Sequence, residues 1–130
     1  MAFNSAYSQA ISSNTINIDP RIKEVFADQL QALVLNVPYR LHDLNDILAN
    51  RVKIENIPYE KNEKFDKLSS VGLFNNYNQD LVRDAAIDEK DFNPLKYNFR
   101  FHAKYKLIYR IDNTDKAIVI YPQQQPDFKN

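Results

Sequence analysis

From Tyr97 to Ile111 the chain alternates. Tyr97, Phe99, Phe101, Ala103, Tyr105, Leu107, Tyr109 and Ile111 are apolar or small. Between them Asn98, Arg100, His102, Lys104, Lys106 and Arg110 are polar, and Ile108 breaks the pattern. A period of two sends successive side chains to opposite faces and predicts a half-buried β-strand. Asp112-Asn113-Thr114-Asp115 reads as a turn. Lys116–Tyr121 is the return strand, stopped by Pro122. Residues 97–111 at about 3.3 Å each would span roughly 50 Å, in a domain whose radius of gyration is roughly 14 Å. The short return strand can pair with Tyr105–Ile111 but not also with Tyr97–Ala103. One expectation is a bend near Ala103, with Tyr97–Ala103 paired to residues 52–57. The other is pairing of Tyr97–Ala103 with a second chain, which would cover an otherwise exposed edge.

The period changes upstream. Asp19-Pro20 suits a helix start, because Asp caps well and Pro is tolerated at the first helical position. Ile22, Val25, Phe26, Leu30, Leu33, Val34 and Val37 recur three and four apart and predict one apolar helix face, ended by Pro38. Tyr39–Asn50 predicts a second helix with Leu41, Leu44, Ile47 and Leu48 inward, packed on the first as a hairpin. Val52-Lys53-Ile54-Glu55 alternates as a short strand. Residues 59–70 are charged and anchored by Phe65 and Leu68, and a loop surrounds Gly72. Gln79–Glu89 predicts a short helix burying Leu81, Val82, Ala85 and Ala86.

Residues 1–18 carry no charged side chain, and no sustained helical stripe runs through Phe3, Tyr7, Ile11, Ile16 and Ile18. Ile16 and Ile18 suit a short strand. Such a segment is hard to order alone, and a neighbouring subunit is the simplest thing to hold it. The expectation is an α+β fold. A two- or three-helix body carries a C-terminal antiparallel hairpin or small sheet, as a single domain over residues 19–122. Extended arms cover residues 1–18 and 123–130.

Composition narrows the chemistry. The 130 residues are 44% hydrophobic, enough for a core, and 17 basic side chains balance 17 acidic ones. Net charge therefore gives no argument for a general nucleic-acid or membrane-surface binder. There is no cysteine, so disulfides and thiolate metal sites are excluded. A single glycine, where average usage would give roughly nine, leaves no glycine-rich phosphate loop. Neither a membrane span nor a signal peptide is evident, so synthesis in the cytoplasm is expected. Asn, Ile, Lys and Tyr are abundant, as in AT-rich coding genomes.

No catalytic, cofactor or metal motif stands out. His42 and Asp46 have a ligand-pair spacing with no third ligand. Asp84, Asp88, Glu89 and Asp91 lack the spacing of a calcium loop and read as solvated. Arg100, His102, Lys104, Lys106 and Arg110 share the even-numbered face of the long strand, as a solvent side or as a basic face for RNA. His102 has no acidic partner near it in sequence.

Residues 99–121, FRFHAKYKLIYRIDNTDKAIVIY, resemble the C-terminal sheet of RelE/ParE-type toxins, where a strand ending in a similar Tyr-Arg-Ile leads through an acidic turn into an apolar strand. The resemblance implies a βααβββ order and a ribosome-dependent ribonuclease, with Arg100, His102, Lys104, Lys106 and Arg110 handling RNA. The neutral charge ranks it second. The preferred expectation is a structural subunit of an assembly, a bacteriophage or viral virion component such as a head–tail connector or neck-ring protein. Its similarity to phage connectors is one of organisation, a small helical body with a β-hairpin. It would be a homo-oligomer, ring or shell, beside other structural proteins, ending in the virion, with no membrane and no specific nucleic-acid ligand. Phe3, Tyr7, Ile11, Tyr97, Phe99 and Phe101 are the candidate interface residues. A small adaptor or inhibitor of one host protein is a further alternative.

Overall fold

The structure, a computed structural model, describes residues 17–123. It is an α+β fold of short helices and a four-stranded mixed sheet. Helix α1 spans Pro20–Phe26 and begins as the sequence predicts. The Asp19 carboxylate accepts the Arg21 N–H at 2.9 Å and pairs with the Arg21 guanidinium at 2.8 Å. That hydrogen bonding holds the Asp19 carboxyl below its ordinary range.

The first helix does not run unbroken to Val37. Ala27 takes φ 46°, a tight turn follows at Ala27–Gln29, and a wide turn at Gln31–Leu35. Helix α2, Arg40–Asp46, likewise passes into a wide turn at Ile47–Arg51. Ile22, Val25, Phe26, Leu30, Val34, Leu44 and Ile47 are nevertheless buried. Apolar spacing of three and four fixes which residues face inward. Tight and wide turns satisfy it as well as a regular helix does.

Strand β1 is Val52–Asn56, β2 is Asp66–Lys67, β3 is Leu107–Arg110 and β4 is Lys116–Ile120. A one-turn helix, α3, spans Tyr59–Asn62 between β1 and β2. The sheet order is β1-β4-β3-β2, with β4 antiparallel to both neighbours and β2 parallel to β3. Val52 lies opposite Ile120 and Ile54 opposite Ile118. Ala117, Ile118, Val119 and Ile120 are all buried, which explains a β4 sequence that is apolar without alternation.

Three expectations are corrected. Tyr97–Ala103 is not a strand paired to residues 52–57: β1 pairs with β4, and the backbone at Lys96 and Asn98 bonds Phe74 and Gly72 instead. Tyr97 makes one isolated antiparallel bridge to Leu73, and the chain turns at Phe101–His102 before β3 begins at Leu107. The alternation still sorts Tyr97 and Phe99 inward and Asn98 and Arg100 outward, so it records facing without a ladder. Gln79–Glu89 is not a helix, and Val82, Ala85 and Ala86 are exposed while Leu81 is buried. Side chains tie this segment down as loop. The Asn78 side-chain amide oxygen accepts the Asp80 N–H, and Arg83 donates to the Leu68 and Val71 backbone carbonyls at 2.8 and 2.7 Å. Asp84 is not simply solvated, as shown below.

Two apolar clusters form the interior. One gathers the helical residues with Ile18, Leu81 and Leu95, and the other lies against the sheet around Phe92, Tyr97, Phe99, Ile118 and Ile120. Val52 and Phe101 touch both and join them. No helix among the described residues is long and apolar enough to cross a membrane.

Candidate functional site

Where the wide turn after α2 enters β1, Arg51 is only 3% exposed. Its backbone carbonyl accepts the Tyr121 N–H at 2.7 Å, and its guanidinium donates to the Phe101 carbonyl at 3.0 Å. Asp46 lies 3.2 Å and Asp43 3.6 Å from the same guanidinium. These two contacts are ion pairs by distance and not aligned hydrogen bonds, since Nε and Nη2 of Arg51 have no hydrogen-bond partner. Asp43 also meets His102, with Nε2 at 3.0 Å from Oδ2. The fold thus supplies His102 with a carboxylate that local sequence does not show. His42 is exposed, and Asp46 is engaged by Arg51 and by the Asn50 side chain at 2.8 Å, so the two form no ligand pair. Among the described residues no group of three His, Asp or Glu side chains is placed to hold a metal.

Beside this bridge opens a cleft of about 550 Å³. Its walls are Val25, Phe26, Leu44, Ile47, Phe74, Leu95, Phe99 and Phe101, and its polar groups are Arg40, Asp43, Asn98 and His102. An apolar pocket of this size with a few polar groups in its lining is the usual form of a binding site. Among the described residues Arg40 has no ion-pair partner. A smaller cavity of about 310 Å³ lies between β1 and the 88–94 segment.

The five basic residues do not make one face. Arg100, His102, Lys104 and Lys106 are exposed on the segment between Phe99 and β3. Arg110 is half-buried in β3, and its Nε is buried without a hydrogen-bond partner. Arg100 lies 6.0 Å from the centre of the Tyr105 ring, and Lys106 lies 5.6 Å from that of Tyr121. Tyr105 departs from the alternation and is 57% exposed among these cations.

Of the candidate interface residues, Phe3, Tyr7 and Ile11 lie outside the described residues. Tyr97 and Phe99 are buried in the chain's own interior, and half-buried Phe101 lines the cleft. Tyr97 stacks on Phe92 and donates its hydroxyl to Asp84 at 2.9 Å. It also accepts the Asp84 N–H at 2.9 Å. Lys96, 5% exposed, pairs with Asp84 at 3.2 Å, and the Arg83 guanidinium lies over the Tyr97 ring at 5.1 Å from its centre. Burial, reinforced by the bond to the Asp84 carboxylate, pushes the Tyr97 phenol up to about 12. This cluster fastens the loop of residues 80–91 to the core.

Compared with known proteins, the chain matches no family model, no curated protein and no solved structure.

Proposed function

We propose that the chain is a structural subunit of a multi-protein assembly, of the kind that bacteriophage and viral virions use as head–tail connectors or neck rings. The observation that carries this reading is the free edge of the sheet. Among the described residues β1 has a ladder partner on one side only. Its other side presents the backbone N–H and C=O groups of alternate residues, Val52, Ile54 and Asn56. A strand from another subunit would satisfy those donors and acceptors and extend the sheet. Tyr39, Tyr59, Tyr105 and Val82 add exposed apolar surface, and aromatic side chains are enriched where subunits meet. The virion setting is part of the proposal and rests on the small-subunit organisation and, by association, on the AT-rich residue usage. Mass photometry and light scattering on the purified chain test the proposal. An oligomer of defined mass is expected, whereas a strict monomer from nanomolar to high micromolar concentration overturns it. A one-to-one complex with a single host protein in a pull-down favours an adaptor instead.

A second reading draws on the exposed run Arg100, His102, Lys104 and Lys106 around Tyr105. Cations next to an exposed ring suit single-stranded RNA. For a ribonuclease toxin, induced expression arrests growth, and replacing Arg100, His102 and Lys104 with Ala relieves the arrest. Harmless overexpression of the unaltered chain removes this reading.

A further inference from the structure

We propose that the apolar cleft beside α2 is a receptor for the chain's own C-terminal segment, residues 124–130, with Phe128 entering the cleft and Asp127 pairing with Arg40. Three observations converge on it. The cleft offers an apolar floor, including Phe26, Phe74 and Phe101, with a rim cation, Arg40, that has no ion-pair partner among the described residues. Its preferred occupant is an aromatic side chain next to a carboxylate. Residues 124–130 read QQPDFKN, in which Phe128 is the one aromatic residue and Asp127 the one acidic residue, and they are adjacent. The opposite segment, residues 1–16, has aromatics but no acidic side chain to meet Arg40.

The exit point supplies the third observation. Tyr121, Pro122 and Gln123 border a cavity with Asp46, Asn50 and Arg51, at the far end of α2 and the turn that continues it. Arg40, Asp43, Ile47 and Asn50 follow one another at helical spacing and mark one face. From Asn50 back to Arg40 that face runs about 15 Å at 1.5 Å per residue. From Gln123 an extended chain covers roughly 14 Å by residue 127 and roughly 17 Å by residue 128, and the long Arg40 side chain spans the remainder. Asp127 and Phe128 therefore have the length to approach Arg40 and the cleft, passing the exposed His102 side chain. The proposal stands apart from the assembly reading, since an intramolecular contact requires no second copy.

The chain has no tryptophan, so Phe128→Trp in the full chain installs a single indole reporter. Its emission is expected to be blue-shifted and protected from iodide at every protein concentration. Adding Arg40→Glu is expected to return it toward the solvent-exposed spectrum. Because an indole is larger than a phenyl ring, Phe128→Ala in the full chain is read in parallel through methyl resonances of Leu44, Ile47 and Leu95. Shifts at these three methyl-bearing side chains support the contact. Unmoved methyl resonances overturn it, whatever the indole reports. A blue shift that grows with concentration alongside oligomer mass assigns the cleft to a neighbour's tail and overturns the intramolecular form.

Discussion

Tyr97→Ala is expected to destabilise the isolated chain by about 3–5 kcal/mol, the range for removing a large buried aromatic. The ring is 2% exposed and lies between Phe92 and Phe99, so truncation leaves a cavity that both neighbours line. Chemical denaturation measures the loss directly. The same experiment separates two roles for this residue. If Tyr97 serves the chain's own core, its loss lowers the unfolding free energy at any protein concentration. If stability were unchanged while oligomer mass fell, the side chain would belong to a subunit contact. Tyr97→Phe isolates the hydroxyl and is expected to cost about 1–2 kcal/mol, because Asp84 loses a bound donor near buried Lys96.

The same hydroxyl gives a pH signature. Its folded-state value lies near 12, above the ordinary phenol value of 10. The protonated phenol is thus favoured by folding. Its contribution is fully present below about pH 10 and is lost as pH rises toward 12. Across that window the unaltered chain should lose more stability than Tyr97→Phe, and parallel curves for the two proteins would refute the assignment.

What the sequence made legible follows from how locally each feature is encoded. The start of α1 lies in two adjacent residues, Asp19 and Pro20. The β3–β4 hairpin lies in an apolar run, a turn and a second apolar run, and its turn places Asn113 at φ 61°, a conformation Asn tolerates. The pattern from Tyr97 to Phe101 showed correctly which side chains are buried, but not what the backbone pairs with. Phe74 donates to the Lys96 carbonyl and Asn98 to the Gly72 carbonyl, the two hydrogen bonds of the single antiparallel bridge between Leu73 and Tyr97, so the partner lies in the loop around Gly72, where no strand pattern marks it. For Gln79–Glu89 helical spacing misled, because Arg83 and Asp84 bind groups outside the segment. The bridge of Arg51, Asp43, Asp46 and His102 was hidden for another reason. Asp43 and Asp46 precede Arg51 along helical turns, so that part of the bridge is local in sequence. His102 reaches Asp43 only because the chain turns at Phe101–His102, and no spacing within the sequence encodes that approach.

That bridge carries the second large effect, and its direction is the informative part. The Arg51 side chain is 4% exposed, while Asp43 and Asp46 remain 24% and 27% exposed. The desolvation cost therefore falls mainly on the guanidinium. Converting both carboxylates, Asp43→Asn with Asp46→Asn, strands a buried cation with one carbonyl partner, and about 3–5 kcal/mol is the expected loss. Arg51→Met removes the cation, keeps most of the stem's packing and leaves two carboxylates in contact with water, one of them still beside His102. Its cost should be smaller, about 1–3 kcal/mol, mostly the lost bond to the Phe101 carbonyl. Combining all three changes should recover stability relative to the double carboxamide variant, since the stranded charge is gone. Non-additivity in that cycle is the measurement that counts, because coupled residues depart from additivity by 0.5–3 kcal/mol, on the order of what denaturation resolves. Additive costs would mean that the carboxylates do not hold Arg51. The bridge would then not fix Phe101 against α2, and the cleft wall that Phe101 forms would depend on apolar packing alone.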